Sequence, residues 1–504
     1  MDKRKSILNV SVSVGFKFLT MIMAIVVKRV LIDACGNDVN GLNALYLSII
    51  GILSVAELGV GSAIAFCMYR PIVEGDNNTV SALYCLFRRI YIIVGAIILV
   101  CGLAIAPFIS VFAKDYHQLD VNLHLTFVLM LISIVITYLF SCKTSLINAY
   151  KNNYITTAIT SSGILLQHVL QIAVLIFTRS FVGYLCCRIV VALLQWVATE
   201  FVTRRKYSYI IQNPQKLKSP EKKELIKNIK AMFMHKIGNM LVNTVDSVVI
   251  SSFVGVIALG FYSNYVMILT SMTEVIKLVF TSLTSVVGHL FVESNKETTK
   301  KYYEKFHILN FMLGCFFFLG YFAIIDNLIA ILFSADLVVS KSVSFVITLN
   351  GFVQFMRQSL FLFKTATGTF YNDRWKPLFE GLSNLVLSVV LVQTTGIVGV
   401  LIATIITNLL ICHIVEPYVL YKNAFVASPK KYYFKNYGMI ILFALGLALL
   451  SFCMLVFESQ WTELLVNGFI SVGVSLVLCG VVLFLNRDLC RQLLMKIKGR
   501  LKGR

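Results

Sequence analysis

IYIIVGAIILVCGLAIAPFISVF, residues 90–112, carries no charged side chain. As an α-helix such a run is long enough to cross a hydrocarbon core of about 30 Å. It does not alternate apolar with polar residues, so it cannot be a strand of a membrane barrel. A helix is the remaining way to satisfy its backbone in lipid. Runs of this kind recur from Ile7 to Leu485, separated by short polar links. The chain therefore reads as an all-α integral membrane protein.

Composition agrees. Of 504 residues, 58% are hydrophobic and 14% charged, against about 25% charged in a soluble domain. About fourteen spans can be marked. The first six cover roughly 7–32, 41–68, 84–112, 122–149, 153–178 and 182–203. The next six cover roughly 231–254, 258–291, 305–333, 342–370, 376–394 and 397–421, and the last two 436–457 and 464–486. The opening run is too long for a signal peptide and has no small-residue cleavage site after it, so it reads as the first span.

Charge sets the direction. Lys3, Arg4 and Lys5 open the chain, nine basic residues lie between Arg204 and Lys230, and seven lie between Arg487 and Arg504. An even number of spans puts all three groups on one side, together with the links 292–304, 371–376 and 422–435. The other side holds Asp33, Asp38, Asp115, Asp120, Asp336, Glu458 and Glu463, against Lys114, Arg179 and Lys341. Basic loops stay in the cytoplasm, so the expectation is a plasma-membrane protein with both termini inside. The net charge of +21 follows from that topology and an anionic inner leaflet. No stacking platform or nucleic-acid motif accompanies it, so nucleic acid is not expected as a partner.

The twelve cysteines lack metal spacing, and only Cys35 falls clearly outside. They read as free, buried thiols, with no metal site and no disulfide framework.

The chain repeats itself. Lys143-Thr144 with Tyr150 matches Lys364-Thr365 with Tyr371. Phe181-Val182-Gly183-Tyr184-Leu185 matches Ile397-Val398-Gly399-Val400-Leu401, and Gly41 and Tyr46 match Gly260 and Tyr265. The expected organisation is a six-helix lobe at 1–210, a basic cytoplasmic linker at 211–230, and a second six-helix lobe at 231–425. Two extra helices and a basic tail fill 426–504. Six spans per half give both halves the same orientation, as in parallel-repeat transporters, which place substrate between the halves.

Ionisable residues inside a membrane are expensive and so become functional candidates. Most here are cations. Lys28 and Arg29 lie near the outer end of the first span, against the positive-inside trend. Lys17, Lys143, Arg188, Lys236, Lys277, Arg357 and Lys364 complete the set, with Arg357 near the middle of its span. Lys143, Lys236, Glu200 and Glu416 sit near cytoplasmic ends, where long side chains also snorkel. The smaller acidic set is Glu57, Glu200, Asp246, Glu274, Asp326, Glu380 and Glu416. Glu57, Asp246 and Glu274 are candidates for ion coupling or for pairing with buried cations. His168, His289 and His413 stand alone and read first as packing residues. A mainly cationic interior points to an anionic substrate, since Arg grips phosphate with two bonds and Lys acts as a point charge.

Three stretches also carry a family resemblance. One is Gly41-Leu42-Asn43-Ala44-Leu45-Tyr46, with Leu53 through Ile64 and Tyr69-Arg70-Pro71. The second is Lys143 through Tyr154. The third is Asp373-Arg374-Trp375-Lys376-Pro377, with Asn384 through Ser388, Gly396-Ile397-Val398-Gly399 and Glu416-Pro417. Together they resemble the polysaccharide-transport flippases of capsule and O-antigen pathways, within the multidrug/oligosaccharidyl-lipid/polysaccharide exporter superfamily. The resemblance implies two six-helix lobes around a central cavity, often with two further helices. It implies a polyprenyl-diphosphate-linked oligosaccharide repeat unit as substrate, moved from inner to outer leaflet by alternating access. Polysaccharide polymerases or glycosyltransferases are then natural partners. Arg29 falls where such relatives usually have Arg. Where they often have Gln, after the fourth span, this chain has Lys151-Asn152-Asn153.

Substrate contacts are accordingly expected at Arg29, Lys28, Arg70, Lys143, Arg188, Arg357 and Lys364, with no cofactor; no phosphate-binding glycine loop for ATP is present. Three rivals stand beside this reading. A multidrug or organic-cation antiporter of the same fold needs an acidic, aromatic site. A lipid-linked peptidoglycan precursor flippase is mechanistically close. A membrane polymerase or ligase needs an external catalytic surface, whereas the external links are short and hold no His/Asp/Glu cluster.

Overall fold

The computed structural model describes residues 3–54, 60–116, 120–211 and 244–486. Among them there are helices, turns and short links, and no strand. Ten helices among the described residues are long and apolar enough to cross a membrane.

The chain forms two compact units, Met1–Gly260 and Phe261–Arg504. The first contains α1 (Lys3–Cys35), α2 (Asn37–Leu53), α3 (Val60–Glu74), α4 (Asn77–Ile105), α5 (Leu123–Ala149), α6 (Asn153–Thr178) and α7 (Phe181–Ile211). α8 (Thr244–Val254) and the start of α9 (Val256–Glu293) close it. The second unit takes the rest of α9, then α10 (Lys296–Leu332), α11 (Lys341–Met356), α12 (Gln358–Thr367) and α13 (Lys376–Thr395). α14 (Ile397–Phe425), α15 (Lys430–Cys453) and α16 (Gln460–Leu485) complete it.

Local chemistry explains the ends. Asp76, Asn122 and Asn295 cap α4, α5 and α10 by accepting from the backbone N–H three residues on, at 3.0, 3.0 and 2.8 Å. These bonds satisfy donors that a helix start leaves open. α12 stops at Gly368, whose φ of +69° suits a residue without a β-carbon.

α4 shows how the membrane reading becomes geometry. Ile93, Ile97 and Val100 are exposed on one face, while Tyr91, Val94 and Ile98 are buried on the other. A helix apolar on both faces with one left open has lipid as its natural neighbour. In the second unit the core is largely aromatic. Phe311, Phe318, Phe322, Phe352, Phe355 and Phe443 are all buried, and the rings of Phe352 and Phe443 stack 3.5 Å apart.

In the run 41–68 the described residues belong to α2 and α3, with 55–59 outside the described residues. The run 342–370 breaks at Arg357 into α11 and α12, where the Arg357 amide bonds to the Gln354 carbonyl at 3.2 Å, one residue short of α-helical spacing. Non-helical backbone at this depth is tolerated where protein buries it, and Arg357 is buried. The span expected at 231–254 is described from Thr244 onward. The linker at 211–230 and Lys236 lie outside the described residues, except Ile211, which ends α7.

Two glycines matched in the sequence meet at one helix crossing. A β-carbon on Gly41 would sit 2.0 Å from the Val256 carbonyl oxygen, and one on Gly260 would sit 2.3 Å from that of Asn37. Each matched glycine thus admits the other helix's backbone within the first unit. Asn40 seals the crossing by donating to the Gly260 carbonyl at 3.3 Å. The matched tyrosines are both fully buried. Tyr46 donates to the Leu123 carbonyl at 2.9 Å, and Tyr265 donates to Asp326 at 2.8 Å.

The described cysteines are all free. Cys101, Cys186 and Cys453 are exposed, which corrects the expectation of buried thiols. They sit on helix faces that the protein itself does not cover.

Candidate functional site

Two polar clusters stand out, one in each unit. In the first unit, α1 packs on α6 and α6 on α7. A ladder of polar contacts climbs the α6–α7 seam. Below it, Thr156 on α6 donates to Asn148 on α5 at 2.6 Å, and across the seam Gln195 donates to the Thr160 carbonyl at 3.2 Å. Gln167 donates to Gln171 at 3.4 Å, and Gln171 to the Tyr184 carbonyl at 3.3 Å. Near the top stands Arg188, half-buried, within hydrogen-bonding reach of Tyr184 and electrostatic reach of His168. It makes no ion pair with any described residue. The Nδ1 atom of His168 has no hydrogen-bond partner. Lys28, half-buried on α1, belongs to the helix packed against α6. Arg188 and Lys28 each lie seven residues, about 10 Å, from the helix end that the charge pattern places outside.

The second unit holds a closed ionic network. Arg357 grips Glu416 through Nε and Nη2 at 3.1 and 2.6 Å. Its Nη1 reaches Asn408 at 2.7 Å and Glu380 at 3.4 Å. Lys376 bridges the same two carboxylates, at 2.6 Å to Glu416 and 2.7 Å to Glu380. All five side chains are buried. A π-helical turn over Asn408–Cys412 inserts into α14 between Asn408 and Glu416, the two partners of Arg357. Such bulges are frequent at functional sites. The neighbouring His413 is pinned as well. Its Nε2 meets the Val353 carbonyl at 3.0 Å, and its Nδ1 meets the Asn436 amide nitrogen at 3.0 Å. A carbonyl requires a donor and an amide N–H an acceptor, so the imidazole is the neutral Nε2–H tautomer.

The other candidates are placed as follows. Arg29 pairs with Asp33 one turn along α1 at 2.7 Å, and Arg70 with Glu74 at 2.7 Å, the Arg70 side chain being 87% exposed. Lys143 pairs with Glu200 across α5 and α7. Lys364, its repeat counterpart, pairs with Asp373, both buried. Glu274 pairs with Lys277 at 3.1 Å, both partly exposed. Asp246 is buried in α8. Glu57 lies outside the described residues.

Lys376 was not among the expected interior cations, because the sequence places it in a cytoplasmic link at the edge of a span. The signal was its i,i+4 spacing to Glu380, which puts both on one helix face.

No family model and no curated protein matches this sequence. Solved structures do. The lipid II flippase MurJ, inward closed, aligns over 95% of this chain and 99% of its own, with TM-score 0.64 and 14% identity. The chain has the fold of MOP-superfamily transporters. An inward-facing multidrug-resistance MATE-family transporter of that superfamily aligns over 82% of this chain and 97% of its own, at TM-score 0.61 and 16% identity. A MOP-superfamily transporter from Pyrococcus furiosus, described as having a binding pocket of reversed polarity, aligns over 84% and 96%, at 0.53 and 14%. The chain is a multi-pass membrane protein with a transporter fold.

Proposed function

We propose that the chain flips a polyprenyl-diphosphate-linked oligosaccharide repeat unit from the inner to the outer leaflet of the plasma membrane, by alternating access, for surface polysaccharide synthesis. It works as a transporter rather than an enzyme, with both termini cytoplasmic and six-helix lobes at 1–210 and 231–425. The carrying observation is Arg188. It is a guanidinium inside a membrane helix whose polar neighbours are Tyr184 and His168, with no ion pair to a described carboxylate. An intramembrane cation of that kind needs an anion from elsewhere, and a diphosphate supplies one. The amide ladder of Gln167, Gln171 and Gln195 offers donors and acceptors beside it, of the kind sugar hydroxyls bind. Lys28 adds a point charge on α1.

The lipid-linked peptidoglycan precursor is the second reading. It is supported by the length of the flippase alignment, 95% of this chain against 82% for the multidrug transporter. An organic-cation substrate fits poorly beside Arg188 and Lys28. Ion coupling, if carried by carboxylates, falls to Asp246, Glu274 or Glu57.

The test is export in cells whose only copy of the gene is Arg188→Ala. Loss of surface polysaccharide with normal membrane levels of the protein supports the repeat-unit reading. Loss of viability with intact polysaccharide favours the peptidoglycan precursor. Unchanged export and growth overturns both.

A further inference from the structure

The end of the first unit that the charge pattern assigns to the cytoplasm carries a second cation cluster, distinct from Arg188 and Lys28. Glu200 on α7 is held at both oxygens. Lys143 on α5 donates to Oε2. Arg204, one turn along α7, donates from Nε to Oε1 at 2.6 Å. Arg88 on α4 lies within electrostatic reach of Lys143, and α4, α5 and α7 pack on one another. Two cations from two helices therefore hold one carboxylate, and an exposed third, Arg88, lies near Lys143.

Their exposures are unequal. The Lys143 side chain is 12% exposed, Glu200 26% and Arg204 75%. The buried ammonium gains most from a counter-ion, and the outer guanidinium, open to water, gains least. Because its two oxygens hold different partners, Glu200 can release Lys143 and stay paired with Arg204. Lys143 is then left facing an anion arriving from the membrane's inner surface, with Arg88 beside it. Exchanging a carboxylate for a phosphate at the ammonium keeps the charge paired before and after. The exchange therefore avoids the penalty of a bare buried cation.

We propose that Glu200 is a resident counter-ion, displaced from Lys143 by an entering phosphate or diphosphate head group, and that Lys143 and Arg88 form an entry station one stage before Arg188. This rests on the lipid-linked anion reading above. Lys143 serves as the point charge and Arg88 as the planar fork that can meet two phosphate oxygens. The head group can belong to the carried lipid or to an anionic phospholipid of the bilayer.

The experiment uses the full chain in nanodiscs of zwitterionic lipid, with Trp375→Phe and Trp461→Phe leaving Trp196, one turn before Glu200, as reporter. Inorganic pyrophosphate and geranylgeranyl diphosphate are titrated separately. Glu200→Gln should tighten both by about fivefold, and Lys143→Gln should weaken both by about tenfold. The double variant should bind as weakly as Lys143→Gln alone, because Glu200 competes only through Lys143. Arg204→Gln, which leaves Glu200 to Lys143, should also weaken binding. Unchanged affinity in Glu200→Gln at a wild-type melting temperature overturns the proposal, as does a double variant tighter than Lys143→Gln. Tightening for pyrophosphate but not for the lipid diphosphate keeps the counter-ion exchange and removes the lipid-carrier reading. Lys143-dependent displacement of pyrophosphate by phosphatidylglycerol assigns the station to bilayer phospholipid, and with it overturns the entry role.

Discussion

Arg357 holds Glu416 by two hydrogen bonds, Nε to Oε2 at 3.1 Å and Nη2 to Oε1 at 2.6 Å. The fork matches the carboxylate plane, the geometry in which Arg differs most from Lys. In this conformation the guanidinium is occupied from within, by Glu416, Glu380 and Asn408. Its first effect is therefore on folding. Glu416→Ala leaves Arg357 and Lys376 to share Glu380, and removing one partner of a buried pair costs about 3–5 kcal/mol. The expected outcome is a clearly lower melting temperature in detergent, and less folded protein. Arg357→Lys should lie between this variant and wild type. A wild-type melting temperature for Glu416→Ala would refute the network's structural role.

Gly41→Ala and Gly260→Ala each place a methyl group against backbone that cannot swing aside, so the helices must separate. Overpacking of this kind costs about 1–3 kcal/mol. Gly288→Ala is the control, since nothing lies within 4 Å of its β-carbon position. Equal thermal stability in all three variants would show that the crossing is not tight.

Arg188→Ala is expected to abolish export while leaving stability near wild type, because no described carboxylate depends on it. Arg188→Lys keeps the charge and loses the fork, so partial export identifies a point-charge contact. Arg29→Ala removes an exposed i,i+4 pair worth about 0.5 kcal/mol at most. Its melting temperature should not move measurably, and export in that variant then reads its contact with substrate alone.

The topology is testable by labelling. In a background lacking Cys35, Cys101, Cys186 and Cys453, a cysteine introduced at Asp115 or Asp336 should react with an impermeant reagent from outside. One at Lys216 or Lys496 should react only after the membrane is opened. External labelling at Lys216 reverses the assigned direction.

Much of the fold was legible because the membrane imposes a one-dimensional rule: an apolar run must be a helix. The runs 122–149 and 153–178 match α5 and α6 to within a residue. The matched glycines Gly41 and Gly260 turn out to sit at one close helix crossing, while the matched tyrosines, both buried, take different partners, the Leu123 carbonyl for Tyr46 and the Asp326 carboxylate for Tyr265. The partners of the charges were not legible. Arg357 and Glu416 are 59 positions apart, and sequence spacing says nothing about contacts across helices. Depth misled as well. Lys376 counted as a loop cation, and the network pulls it inside. His413 read as isolated because its neighbours, Val353 and Asn436, come from two other helices.

The four charges joined by Arg357, Lys376, Glu380 and Glu416 sum to zero. A transmembrane voltage does work only on net charge that moves, about 2.3 kcal/mol per elementary charge per 100 mV. However far this cluster shifts during a cycle, its displacement is electrically silent, and so is that of the neutral pair Lys364–Asp373. Current recorded during turnover would therefore come from a charged cargo and from a cation such as Arg188, which makes no ion pair with a described residue. If the cargo is the anionic lipid proposed above, a negative cell interior would push it outward.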